Sequence, residues 1–196
     1  MKVELLTSKN SLQDMERNAT QATLICHGNE GKQVVNQEVL TRIIGYGHES
    51  ILEHIYLTYR VQDISRAVLQ ELARHRHITL SVESTRHTLR KNINNTDWYS
   101  VLYGSVNDDM KEFLRVFRKF ADMHPLMPND ELKYYLPEFL TTSLFMTLNV
   151  RELRHVLSLR TSPRALEEFQ DLARALFEAV PDEFKYLLKD CVHEEA

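Results

Sequence analysis

Residues 70–87, QELARHRHITLSVESTRH, set Arg74, Arg76 and Arg86 beside His75, His77 and His87 in a chain whose formal net charge is −4. Guanidinium groups pair in two-pronged fashion with phosphate and with planar carbonyl or imide edges, which lysine does less well. Ser81, Ser84 and Thr85 add hydroxyl and backbone N–H donors. These complete a phosphate cradle if the segment curls back on a helix end. Two further donor groups stand in GHESILEH, 47–54, and NVRELRHVLSLR, 149–160. In the latter, Arg151, His155 and Ser158 fall at i, i+4 and i+7 and share one helical face. The spacing is compatible with a nucleotide site and does not by itself name one.

Other chemistries lack their residues. There is no G-x-G-x-x-G and no Walker loop, and five glycines in the chain leave a bound nucleotide to be held by side chains. No G-x-S-x-G elbow occurs, and neither Cys26 nor Cys191 is read as a nucleophile. With no C-x-x-C pair, the two cysteines read as reduced thiols. His75/His77 and His48/His54 have the types for a metal site, but arginines alternating with the former surround a cation with positive charge, so no metal is expected.

The charge balance narrows the ligand. Between Arg60 and Lys91 seven Arg/Lys stand against three acidic residues, while the whole chain has a pI of about 6.1. A binder of long polyanions usually carries a basic surface over the whole domain. A local surplus in an acidic chain suits a small phosphorylated ligand. The start MKVELLTSKN lacks the apolar core of a signal peptide, and eighteen apolar residues never run together. The expectation is a cytoplasmic protein with no membrane contact.

The elements that position these groups follow from periodicity. With 196 residues, 43% hydrophobic, and no repeat or Pro/Gly-rich linker, one domain over 1–196 is expected. KVELL reads as a first strand, and Val34 to Ile44 as a helix, assigned to 31–44, ending at Gly45 and Gly47. IYLTYRV alternates as a half-buried strand with Ile55, Leu57, Tyr59 and Val61 inward. Ser65 caps a helix assigned to 65–76 that delivers Arg74–Arg76 at its end. NDDMKEFLRVFRKF is amphipathic, with Met110, Phe113, Leu114, Phe117 and Phe120 inward and Asn107 or Asp108 as cap. FLTTSLFMTLNV alternates with Leu140, Thr142, Leu144, Met146 and Leu148 on one side, and a helix from Val150 to Leu159 buries Val150, Leu153 and Leu157. Ser162 and Pro163 mark the start of another helix, and DEFKYLLKDC a short last one. The class is α+β: a central mixed or antiparallel sheet flanked by helices, without the βαβ alternation of a Rossmann fold.

These residues resemble a known family. Arg74 to Arg86 is similar to the R-H-R-x-x-S-x-x-x-x-S-x-R signature of the flavin-dependent thymidylate synthases, with Arg74, His75, Arg76, Ser84 and Arg86 in register and Thr79 at the first Ser. GHESILEH resembles the family's G-H-x-S/T-x-x-E-H, Leu136-Pro137 its L-P before the central strand, and NVRELRHVLSLR its N-x-R-x-L-x-x-x-L-x-L-R. The four matches keep their order over about 120 residues.

The resemblance implies reductive methylation of dUMP to thymidylate with FAD, NADPH and methylenetetrahydrofolate, in a homotetramer with shared active sites and without nucleic acid. On the matching positions it implies that Arg74, His75 and Arg76 meet FAD, with Arg74 also near the nucleotide. Ser50 then touches FAD from a neighbouring subunit, and Asn149, Arg151 and His155 form the second half of the FAD site. His48 stands near the flavin ring, where folate and NADPH approach. Glu71, Arg74, the loop Val82, Glu83, Ser84, Thr85 and Arg86, and Lys133 and Arg160 become the dUMP contacts. Arg160 is the catalytic residue: a guanidinium against the pyrimidine edge favours loss of the N3 proton and polarises the ring. Ser84, without an adjacent base, is a binding residue and not a nucleophile.

The chain departs from the pattern. Thr79 keeps a hydroxyl, Val82 replaces a frequent polar residue, and His87 a frequent tyrosine. Lys133 stands where an arginine often contacts dUMP, and meets a phosphate only as a point charge. One rival reading makes the basic 60–91 segment a nucleic-acid-binding module; a second makes the chain an inactive scaffold of the same fold. Arg160 and the Arg-His-Arg run, whose loss would mark such a scaffold, are all present.

Overall fold

The computed structural model describes residues 1–94 and 107–194. Its sheet has four antiparallel strands: β1 (Lys2–Leu5), β2 (Tyr56–Ser65), β3 (Thr79–Val82) and β4 (Thr141–Asn149), in the order β1-β2-β4-β3. The helices are α1 (Lys9–Cys26), α2 (Asn36–Gly45), α3 (Arg66–Leu72), α4 (Thr85–Ile93), α5 (Asp108–Met123), α6 (Asn129–Leu132), α7 (Val150–Arg160) and α8 (Glu167–Glu178). Short 3₁₀ segments cover Glu49–His54, Lys133–Tyr135, Asp182–Leu187 and Lys189–Cys191. This is the expected α+β class, with the sheet wholly antiparallel.

Strand alternation decides which face is covered. Ile55, Leu57, Tyr59 and Val61 are buried in or beside β2, as are Leu140, Thr142, Leu144, Met146 and Leu148 in or beside β4. A bulge between Val61 and Ile64, with Asp63 at φ 60°, resets the alternation so that Ile64 also turns inward. That inner face joins α1, α2, α3, α7 and α8 in one core, through residues such as Leu12, Leu40, Leu72, Leu153 and Phe169. A second, smaller cluster ties α4, α5 and α6 to Leu140.

Several expectations need correction. Helix α1 was not foreseen, because its buried face mixes Leu12, Ala19 and Leu24 with Thr20 and Thr23. Each of those threonines hides its hydroxyl by donating to the carbonyl four residues back, at 3.0 Å. Helix α2 begins at Asn36 and not at residue 31: Gly31 has φ 78°, and Val34 and Val35 remain outside and exposed. Ser65 does cap α3, accepting from Val68 N at 3.1 Å, but α3 closes at Leu72, so Arg74–Arg76 lie in the turn beyond it. In α5, capped by Asn107, Leu114 and Phe117 are buried while Phe113 is about half exposed, resting edge-on against Phe139. Ser162 and Pro163 do not start α8. Residues 162–165 make a turn closed by Ala165 N–H on Ser162 O, and the helix begins at Glu167 behind Leu166.

Candidate active site

Asn149 opens the site. It ends β4 and caps α7, its Oδ1 accepting from Glu152 N at 2.8 Å. The cap sets the phase of α7. Val150, Leu153, Val156 and Leu157 go to the core, and Arg151, His155 and Ser158 share the outward side. That side lines a cleft of about 570 Å³ together with Asn149, Glu49, Glu53, His77 and Cys191. A second cleft, of about 420 Å³, is lined by Arg74, His75, Arg76, Leu159 and Arg160. Both include His77, Glu152 and His155, so the two are parts of one trough.

A buried polar line runs beneath this trough. Arg74 and Arg76 are exposed on either side of His75, which is 7% exposed. Arg160 donates Nε–H to His75 Nε2 at 3.2 Å, and His75 Nδ1 faces Glu152 Oε1 at 3.4 Å. An Nε2 that accepts must be unprotonated, so His75 is the neutral tautomer with its hydrogen on Nδ1. Burial, then the adjacent Arg160 charge, lower its pKa and keep it neutral, against the opposing pull of Glu152. Arg160 also donates Nη1–H to Glu71 Oε2 at 2.5 Å and lies over the Phe169 ring at 4.6 Å. One guanidinium is thus held by an imidazole, a carboxylate and an aromatic face, while its side chain keeps 19% exposure for an incoming group.

Arg154 braces the other end. Buried, it takes both Asp190 oxygens at 2.6 and 2.7 Å, Glu49 at 2.9 Å and the Leu187 carbonyl at 2.6 Å. This fixes the Glu49–His54 and Lys189–Cys191 segments as cleft walls. Burial pushes the Cys191 thiol there up to about 11. It is no thiolate at neutral pH. Arg151, also on α7, pairs with Glu53 of the Glu49–His54 segment at 2.5 Å. Glu152, Glu53 and Phe169 were not anticipated. The capping-box spacing Asn149-Val-Arg-Glu152 was the available signal for Glu152, although its carboxylate turns to His75.

The remaining expected contacts lie elsewhere. Ser84 caps α4, with Thr85 and Arg86 in its first turn; Arg86 and Lys133 meet at Asp130, at 2.9 and 3.1 Å. Val82 and Glu83 line a different hollow with Arg60 and Phe145. His48 and Ser50 are exposed, His48 edge-on to Tyr46, and neither lines the trough. Arg74–Arg76 precede β3 and Ser84–Arg86 follow it. Four extended residues and their flanks separate the groups by on the order of 15 Å or more.

The basic 60–91 segment is not a free polycationic surface. Arg60 pairs with Glu4, Arg86 with Asp130, and Arg90 donates to the carbonyls of Ala121, His124 and Met127. The nucleic-acid-binding reading has no support. Among the described residues no helix is long and apolar enough to cross a membrane, and no group of three or more His, Cys, Asp or Glu is arranged to hold a metal.

Residues 5–184 match the family model described as thymidylate synthase complementing protein. The flavin-dependent thymidylate synthase of Campylobacter jejuni (strain RM1221) is 37% identical over 182 residues, covering 87% of this chain and 85% of that protein. That of Helicobacter pylori (strain J99) is 40% identical over 163 residues, covering 75% and 77%. A crystal structure of Helicobacter pylori thymidylate synthase X with FAD and dUMP superposes with a TM-score of 0.84 at 32% identity, covering 99% of this chain and 100% of that one. With the family model spanning nearly the whole chain and a solved member of the same shape, the chain belongs to the thymidylate synthase complementing protein family, that of the flavin-dependent thymidylate synthases.

Proposed function

We propose that this chain makes dTMP by reductive methylation of dUMP, with FAD as its cofactor, NADPH as reductant and methylenetetrahydrofolate as the one-carbon donor. The observation that carries the reading is the trough: a row of guanidinium, imidazole and amide donors ending at the oriented guanidinium of Arg160.

The donor set suits FAD. A dinucleotide brings an anionic pyrophosphate and hydrogen-bonding ring edges, which this chain must meet without a glycine-rich turn. Arg74, Arg76, Asn149, Arg151 and His155 supply such donors from two sides of one trough, and His75 lies buried beneath. Glu53 shares Arg151 with any anion that enters. Bound FAD supplies the redox chemistry, taking reducing equivalents from NADPH and passing them to the pyrimidine.

What the chain's own residues do follows from their geometry. Arg160 is stripped of free rotation by His75, Glu71 and Phe169. A guanidinium so held meets the pyrimidine edge without reorganising, favours the N3-deprotonated form and withdraws electron density from the ring. Ser84, Thr85, Arg86 and Lys133 are read as holding the phosphate end of dUMP. Arg74–Arg76 and Ser84–Arg86 lie on opposite sides of β3 in the chain, which suits a site of which a neighbouring subunit supplies one half. A homotetramer with shared sites satisfies this, and exposed Ser50 and His48 then reach a partner's trough. NADPH and folate approach on the His48 side. The cytoplasm is the expected compartment.

The first test is an absorption spectrum of the purified protein, expected to show oxidised-flavin bands near roughly 370 and 450 nm. A colourless protein that takes up no added FAD contradicts the assignment.

A further inference from the structure

Arg86 and Lys133 share one carboxylate. Asp130, in α6, takes Arg86 Nε on both oxygens, Oδ2 at 2.9 Å and Oδ1 at 3.1 Å, and Lys133 Nζ on Oδ1 at 3.1 Å. All three side chains are partly exposed, between 39% and 64%. Next to Asp130, Asn129 donates its amide N–H to the Arg86 carbonyl at 2.7 Å and fixes α6 against α4. The two cations therefore come from elements whose relative position is set by a bond that does not involve Asp130's charge. Ser84 caps α4 without a side-chain bond to its backbone, and the first turn of α4 holds no acidic residue. Asp130 is then the carboxylate bound between these donors.

The charges are unequal to the task of keeping Asp130 there. Two cations around one carboxylate leave a net charge of +1, and a phosphomonoester, with a second pKa near about 6, brings close to two negative charges at neutral pH. The pairs are exposed and individually weak, so exchange is easy. Lysine suits it further: an ammonium on a flexible stem swings from one oxygen to another, where a guanidinium would clamp the carboxylate in two-pronged fashion.

We propose that Asp130 stands in for the substrate phosphate in the nucleotide-free protein, holding Arg86 and Lys133 and giving them up when the phosphate of dUMP arrives. This rests on the reading of Arg86 and Lys133 as the phosphate end of the dUMP site. Asp130 is on this view a specificity residue. It sets a threshold that a dianionic phosphate crosses and an uncharged nucleoside or a singly charged anion does not, and it gives Lys133, the departure from the usual arginine, a use.

Calorimetry on the FAD-loaded protein tests it, with dUMP, deoxyuridine and inorganic phosphate as probes. Asp130→Asn keeps the shape and an acceptor oxygen and removes the competing charge. It is expected to bind dUMP about three- to tenfold tighter at low salt, the size for deleting one charge beside a dianion in water, with the gain shrinking as salt rises. Inorganic phosphate should gain by a similar factor, and deoxyuridine should not change. Unchanged or weaker dUMP binding by Asp130→Asn, while Lys133→Ala weakens it, overturns the stand-in role alone. If Lys133→Ala and Arg86→Ala both leave dUMP affinity at the parent's value, the phosphate assignment itself is wrong and the proposal goes with it.

Discussion

Arg160 donates its Nε–H to His75 Nε2 across 3.2 Å, tying the last turn of α7 to the turn that follows α3. The bond requires an unprotonated Nε2, so the orientation of the guanidinium depends on the charge state of a buried imidazole. His75 in turn depends on Glu152, and Arg160 on Glu71 and Phe169. The orientation of the Arg160 guanidinium therefore rests also on Glu152, one step removed through His75.

Arg160→Ala should abolish most dTMP formation while the protein still binds FAD and still lets NADPH reduce it. Arg160→Lys should restore little, because a point charge cannot satisfy His75, Glu71 and a planar base edge together. The assay is dTMP production at saturating dUMP with flavin reduction followed in parallel. Near-parental turnover in Arg160→Ala would remove Arg160 from the chemistry.

Buried His75 makes a pH dependence. His75 has a folded pKa below its usual 6.5, from burial first and then Arg160, so below about 6.5 the unfolded chain binds the extra proton before the native one does. Native stability thus rises with pH through the window between the lowered pKa and about 6.5, and falls on acidification. His75→Gln should flatten that slope in thermal denaturation measured from pH 5 to 8. An equally steep slope in the variant would assign it to other groups.

Glu152 is a positioning residue. Glu152→Leu leaves the buried His75 Nδ1–H without an acceptor, at a cost of about 1–3 kcal/mol in stability, and should lower kcat more than it raises KM for dUMP. Glu152→Gln still offers an oxygen to Nδ1–H and should recover most of kcat. Equal kcat in the Leu and Gln variants would leave Glu152 a packing residue only.

Arg151 and Arg76 are assigned to FAD. Replacing either by Ala should weaken FAD by about 1.5–3 kcal/mol, with flavin content and activity falling together. Retention of stoichiometric flavin with loss of dUMP binding alone would exchange the two halves of the site.

Shared sites predict complementation. Arg160→Ala and Lys133→Ala chains, each weakly active, should regain activity when mixed under conditions that exchange subunits, because one mixed site is intact. Light scattering should give a mass near four times 23.0 kDa. No recovery on verified subunit exchange would put both residues in a site made by one chain.

Much of this was legible in the sequence because strands and helices advertise their faces. The alternation from Leu140 to Leu148 locates β4, and the i, i+4, i+7 spacing of Arg151, His155 and Ser158 marks the cleft-lining side of α7. Helix α1 hid because buried threonines do not look buried. The start of α8 is not legible because Ser162 and Pro163 carry a helix signal that a local turn uses instead. Phe169 and the contact of Glu152 with His75 cannot be assigned from spacing: each reaches across the fold, to Arg160 and to His75, and long-range pairing leaves no period in the chain. Lys133 and Arg86 stood out individually, but their common partner Asp130 emerged only from the packing of α4 on α6.

The most direct measurement is dTMP formation by the purified, FAD-loaded chain supplied with dUMP, methylenetetrahydrofolate and NADPH, analysed by chromatography. The expected result is dTMP in amounts exceeding the enzyme, dependent on all three additions and lost in Arg160→Ala. Flavin that is reduced by NADPH while dUMP is recovered unchanged, with folate present and the protein folded, would contradict the account.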